Sequence, residues 1–75
     1  MNAVVADILA SITNREAETI SASDNLLIDL RMSSLDLMEM VLAFEQELGI
    51  KIPDKDVHRF MTVGSIVDYL DEHKR

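Results

Sequence analysis

No cysteine occurs in the 75 residues, which removes both a disulfide framework and a thiolate metal site as supports for a small domain. At this length one core is only just sufficient, so helix packing has to supply the stability. Tryptophan is also missing, and one tyrosine and two phenylalanines are the whole aromatic content. The core is therefore aliphatic, with methionine as adaptable filler. Positive charge is scarce: seven Lys and Arg stand against 14 Asp and Glu, a formal charge of −7. Phosphate binding is carried by clustered Lys and Arg, so nucleic acid is excluded as a partner and basic protein surfaces are favoured. No apolar stretch is long enough to cross a bilayer. The run over residues 3–12 is apolar, but it has no basic lead-in and is interrupted by Asp7, so it does not read as a signal peptide. One domain over residues 1–75, cytoplasmic and monomeric, is the expectation. Strand-period runs, internal repeats and low-complexity segments are absent too.

What is present is helical periodicity. Asn2 is placed to cap a first helix in which Val4, Val5, Ile8, Leu9 and Ile12 share one side. From Arg15 to Ser33 the period fails, yet Ile20, Leu26, Leu27, Ile28 and Leu30 are too apolar for a solvated linker. This predicts a long loop packed on the body. Ser33-Ser34-Leu35-Asp36 has the capping-box pattern, so a second helix starts here and runs to Leu48, with Gly49 as its stop. Asp54 is placed to cap a short helix carrying Val57 and Phe60. Thr62 caps the last helix, where Val63, Ile66, Val67 and Leu70 share a face and Gly64 weakens the start. The fold class predicted is all-α: a four-helix bundle of three longer helices and a short third one.

On a wheel of about 100° per residue, Leu37, Val41, Phe44 and Leu48 form one tight stripe of the second helix, expected in the core. Leu35, Met38 and Leu42 form a neighbouring stripe, and Asp36, Glu39, Gln46 and Glu47 fill the remaining arc. Either this helix packs on two sides or its second stripe is exposed beside the acids as a binding surface. Ser34 follows the cap, so its hydroxyl stands at the positive end of the helix dipole, where a phosphate ester is favoured. The same position suits an ordinary structural serine equally well. His58 and His73 have no evident nucleophile to pair with, and residues 24–29 lack the spacing and glycine of a calcium loop. No catalytic residue and no metal site is expected.

Several segments, in register, resemble acyl carrier proteins. That family reads roughly L-x-D-L-G-x-D-S-L-x-x-x-E-L-V, then an acidic helix end, I-P-D and T-V-G-D-A-I-D-Y-I. Here the chain has Leu27-Ile28-Asp29-Leu30-Arg31-Met32-Ser33-Ser34-Leu35, Glu39-Met40-Val41, Glu45-Gln46-Glu47-Leu48-Gly49-Ile50, Ile52-Pro53-Asp54 and Thr62-Val63-Gly64-Ser65-Ile66-Val67-Asp68-Tyr69-Leu70. The resemblance covers residues 28–70. It implies a non-catalytic carrier whose cofactor, 4′-phosphopantetheine, is esterified to Ser34 by a separate phosphopantetheinyl transferase drawing on coenzyme A. The arm's thiol carries acyl or polyketide intermediates as thioesters, for fatty acid or specialised lipid and secondary metabolite synthesis. A flexible arm on a rigid helix end serves several active sites at high effective concentration. By the same resemblance, acyl-loading, synthase or transferase enzymes with basic docking surfaces meet Asp29, Asp36, Glu39, Glu45 and Glu47 for charge, and Leu35, Met38 and Leu42 for apolar contact.

Two positions depart from the pattern. Ser33 replaces the aspartate before the modified serine, and Arg31 replaces a glycine, placing a positive charge beside the attachment position. Lys55, His58 and Arg59 stand where relatives are more acidic, and Gln46 interrupts the acidic end of the second helix. These changes suggest a specialised carrier with dedicated enzymes. An aminoacyl or peptidyl carrier and an unmodified, carrier-derived interaction domain are the competing readings.

Overall fold

A computed structural model describes residues 2–73. Four α-helices are present among them: α1 (Ala3–Thr13), α2 (Ser34–Leu48), α3 (Asp54–Val57) and α4 (Val63–His73). A 3-10 turn at Ala17–Thr19 interrupts the long α1–α2 connection. α1 packs against both α2 and α4.

Local chemistry sets most of the helix ends. The Asn2 side-chain oxygen accepts from Val4 N and Val5 N at 2.9 and 3.3 Å, taking two donors that the first turn leaves without partners. α1 ends at Asn14 and α2 at Gly49, both left-handed, at φ 57° and 65°. These are two residue types that tolerate that conformation. At the start of α4, Thr62 Oγ1 accepts from Ser65 N at 3.2 Å while Ser65 Oγ accepts from Thr62 N at 3.1 Å. α3 departs from expectation: Pro53, not Asp54, stands at its cap position, and no side chain closes its N-terminus. Pro53 has no N–H of its own to satisfy, and Asp54 and Lys55, whose N–H groups lack a helical acceptor, are exposed to solvent.

The core joins Val5 and Leu9 of α1, Met40 and Phe44 of α2, and Val63, Ile66, Tyr69 and Leu70 of α4. Ile20, Leu26, Leu30 and Met32 of the connection, together with Ile52 and Phe60, complete it. The α2 stripe is rotated from the expected one. Phe44 is fully buried, but Met40 is its buried companion, Leu37 and Val41 are half-buried, and Leu48 is exposed. α2 is apolar over most of its circumference, so its own sequence left the buried direction open and packing against α1 selects it.

The connection does pack on the body, with one correction. Leu27 and Ile28 are exposed rather than buried. Asn25 explains why: its Oδ1 accepts from Leu27 N and Ile28 N at 2.9 and 2.8 Å, and its own N–H donates to Asp29 Oδ2 at 2.7 Å. This reciprocal turn points Leu26 and Leu30 inward and leaves the residues between them outside. The segment is then stitched to the α3–α4 junction by Leu26 N to Met61 O, Val63 N to Asp24 O and Gly64 N to Ala22 O, at 3.0, 3.0 and 2.8 Å.

Candidate functional site

Ser34 is the first residue of α2 and is exposed. Its position is fixed by the residue before it. Ser33 Oγ accepts from Asp36 N at 3.1 Å, and Asp36 Oδ2 accepts from Ser33 N at 3.0 Å, a complete capping box. Leu37 N then bonds Ser33 O at 3.0 Å. The box and the first helical bond occupy the donors of residues 33, 36 and 37. The N–H groups of Ser34 and Leu35 are left without an acceptor inside the helix, as geometry requires at a helix start. Two adjacent serines thus have separate roles: one hydroxyl is consumed by the cap and the other is free at the positive end of the dipole.

Ser34 also stands at one end of a groove of about 680 Å³ between α2 and the α3 region. Leu37, Met38, Val41 and Leu42 form one wall, and Ile52, Pro53 and Val57 the other. Glu45, which lines the groove as well, stands eleven positions after Ser34, so the groove runs about 16 Å along the helix axis. At its far end Glu45 Oε2 accepts from Ile52 N at 2.8 Å and ties the returning chain to α2. Sequence reasoning did not find the α3 wall. Val57 was visible as an apolar residue, but nothing in the sequence shows which apolar side chains face one another across a gap.

The residues expected to meet partners divide into two groups. Leu35, Met38 and Leu42 are exposed at 64%, 63% and 56%, so the second stripe of α2 is a surface and not a packing face. Glu39 and Glu47 are exposed beside it. Asp29, Asp36 and Glu45 also have structural work, because each carboxylate accepts a backbone N–H. Exposed Ile28, at 75%, adds an apolar residue beside Asp29 that the sequence had suggested was packed. No helix among the described residues is long and apolar enough to cross a membrane.

A second polar cluster holds α3 on α4. Tyr69, almost fully buried, donates its hydroxyl to Asp56 Oδ2 at 2.7 Å. Arg59 lies over the Tyr69 ring, 5.1 Å from its centroid, and pairs with Glu72 at 3.2 Å. Burial pushes the Tyr69 phenol up to about 12, and the hydrogen bond and negative charge of Asp56 add to the shift. His73, the second histidine, stacks on Tyr69 at 4.1 Å and its Nδ1 lies 2.8 Å from Tyr69 O.

Comparison with known proteins finds relatives along most of the chain. A family model described as "Phosphopantetheine attachment site" matches residues 3–70. An acyl carrier protein of Zymomonas mobilis subsp. mobilis is 44% identical over 59 residues, covering 79% of this chain and 76% of that one. Another, from Clostridium perfringens strain SM101, is 37% identical over 67 residues, covering 89% and 88%. The match extends the residues 28–70 of the motif resemblance back through α1. With a family model over most of its length and relatives of this identity matched over 76% and 88% of their own chains, the protein belongs to the acyl carrier proteins, which bear a phosphopantetheine attachment site.

Proposed function

We propose that Ser34 is the residue that takes the 4′-phosphopantetheine arm, and that this chain carries acyl cargo between enzymes without performing chemistry itself. The carrying observation is the division of labour between the two serines. Ser33 Oγ is held by Asp36 N, while Ser34 is exposed at the end of an apolar groove. The helix start fits a phosphodiester: the N–H groups of Ser34 and Leu35 have no acceptor within the helix, and the positive end of its dipole lies there. When attached, the arm supplies a terminal thiol that holds the acyl group as a thioester. The chain's residues contribute a fixed point of departure at Ser34 and an apolar wall, Leu37 to Leu42 on one side and Val57 on the other, against which an acyl chain loses water contact.

The whole chain acts as one monomeric domain, and its use of coenzyme A as donor suits the cytoplasm. Its phosphopantetheinyl transferase and acyl-handling enzymes meet the exposed face of α2, through Leu35, Met38 and Leu42 for apolar contact and through Glu39 and Glu47 for charge. Asp29, Asp36 and Glu45 contribute to the same negative field while holding the backbone in place. The formal charge of −7 favours partners with basic docking surfaces and speeds their encounter. Fatty acid synthesis or a related lipid pathway is the setting we infer, supported by relatives named acyl carrier proteins. The test is intact mass after incubation with coenzyme A and a broad-specificity transferase. One phosphopantetheine adduct on the wild type and none on Ser34→Ala supports the reading. No adduct on the wild type with several transferases contradicts it.

A further inference from the structure

Arg31 takes the left-handed conformation, at φ 57°, three residues before Ser34. A long side chain pays a steric cost there that glycine avoids. The guanidinium is exposed and has no partner among the described residues, in contrast to Arg15, which donates to Asp29 O, and Arg59, which pairs with Glu72. Carboxylates are close in sequence on both sides, yet neither forms an ion pair with it, and each holds a backbone N–H through one oxygen. Asp29 Oδ2 accepts from Asn25 N at 2.7 Å and Asp36 Oδ2 from Ser33 N at 3.0 Å. The chain thus keeps a free cation beside the point where a phosphodiester belongs.

That phosphodiester adds a permanent negative charge next to Asp36, on a chain already at −7. The free N–H groups of Ser34 and Leu35 offset part of the repulsion. A guanidinium is suited to the remainder, because its planar fork matches two phosphate oxygens at once. Three residues of chain span at most about 10 Å, which leaves the phosphate within the sweep of an arginine side chain. We propose that Arg31 is a positioning residue for the arm: its guanidinium pairs with the phosphodiester on Ser34 and restricts the direction in which the arm leaves α2. This rests on Ser34 being the attachment residue.

The test uses the wild type, Arg31→Gln and Arg31→Lys, each loaded from coenzyme A by the transferase and confirmed by intact mass. Glutamine keeps a side chain in the left-handed position, so backbone strain is unchanged and only the charge is lost. Two quantities are then read: the phosphorus NMR shift of the diester, and the difference in unfolding midpoint between loaded and unloaded chains. For the wild type, loading raises the midpoint by roughly 3 °C at low salt, and the gain disappears at about 0.5 M salt. Arg31→Gln shows no gain and a displaced phosphorus resonance, whereas Arg31→Lys retains part of the gain. Full loading with the same resonance and the same gain in wild type and Arg31→Gln overturns the pairing. A wild type that takes up no added mass overturns the Ser34 reading first, and the pairing with it.

Discussion

The phenol of Tyr69 on α4 donates a 2.7 Å hydrogen bond to Asp56 on α3, and this bond anchors the four-residue helix that walls the groove beside Ser34. A helix that short cannot hold itself together. Its position depends on Phe60, which meets the Tyr69 ring edge-on at 5.1 Å, on the Arg59 pair with Glu72, and on this bond.

Replacing Tyr69 by Phe keeps the ring and removes the hydroxyl. A cost of about 1–2 kcal/mol is expected, since Asp56 is half-buried and loses its donor. Denaturant unfolding of the two proteins measures it.

The same residue sets a high-pH limb. The Tyr69 phenol is raised from 10.0 to about 12, so the folded state holds the proton more tightly than the unfolded one. Its contribution is complete below pH 10, declines between pH 10 and 12, and is absent above. Wild-type stability therefore falls across that window, and the fall is smaller in Tyr69→Phe. Equal slopes in the two proteins would show that the titration belongs to other groups.

Arg31→Gly should stabilise the unloaded chain. Relief of a left-handed non-glycine residue is worth roughly 1–2 kcal/mol, and the greater freedom of glycine in the unfolded chain takes back roughly 0.5–1 kcal/mol. A net gain of about 0.5 kcal/mol, read by thermal unfolding, is the expectation. Gly64 behaves oppositely. A Cβ there would lie 3.1 Å from Ala22 O, to which Gly64 N already donates. Gly64→Val should lose about 1–2 kcal/mol.

The two apolar faces of α2 should separate cleanly. Met38→Ser and Leu42→Ser sit on exposed positions and should move stability by no more than about 0.5 kcal/mol, while slowing loading by the transferase. Met40→Ala and Phe44→Ala empty fully buried positions and should cost about 2–5 kcal/mol. Unfolding midpoints and loading rates, measured on the same four proteins, make the comparison. Exposed-face variants that load at the wild-type rate would remove Met38 and Leu42 from the docking surface.

Signals written in adjacent residues were legible before the structure. Asn2, the Ser33 and Asp36 pair, Gly49 and Thr62 each close a helix end through their own chemistry, and from them follow the bounds of α2 and the placement of Ser34 at its start. What was not legible depends on groups far apart in the chain. Met40 is buried in place of Leu48 because α1 packs on one side of a helix that is apolar nearly all round. Leu27 and Ile28 face outward because Asn25 and Asp29 close a turn on each other, and periodicity carries no trace of it. The groove wall at Ile52 and Val57 exists only once Glu45 and Tyr69 have fixed the returning segment.

The most direct test of the account is fragmentation mass spectrometry of the loaded chain, locating the added phosphopantetheine between the adjacent serines. All of it is expected on Ser34, with loading retained in Ser33→Asp, which preserves a helix cap. Modification on Ser33, or none on either serine, would contradict it.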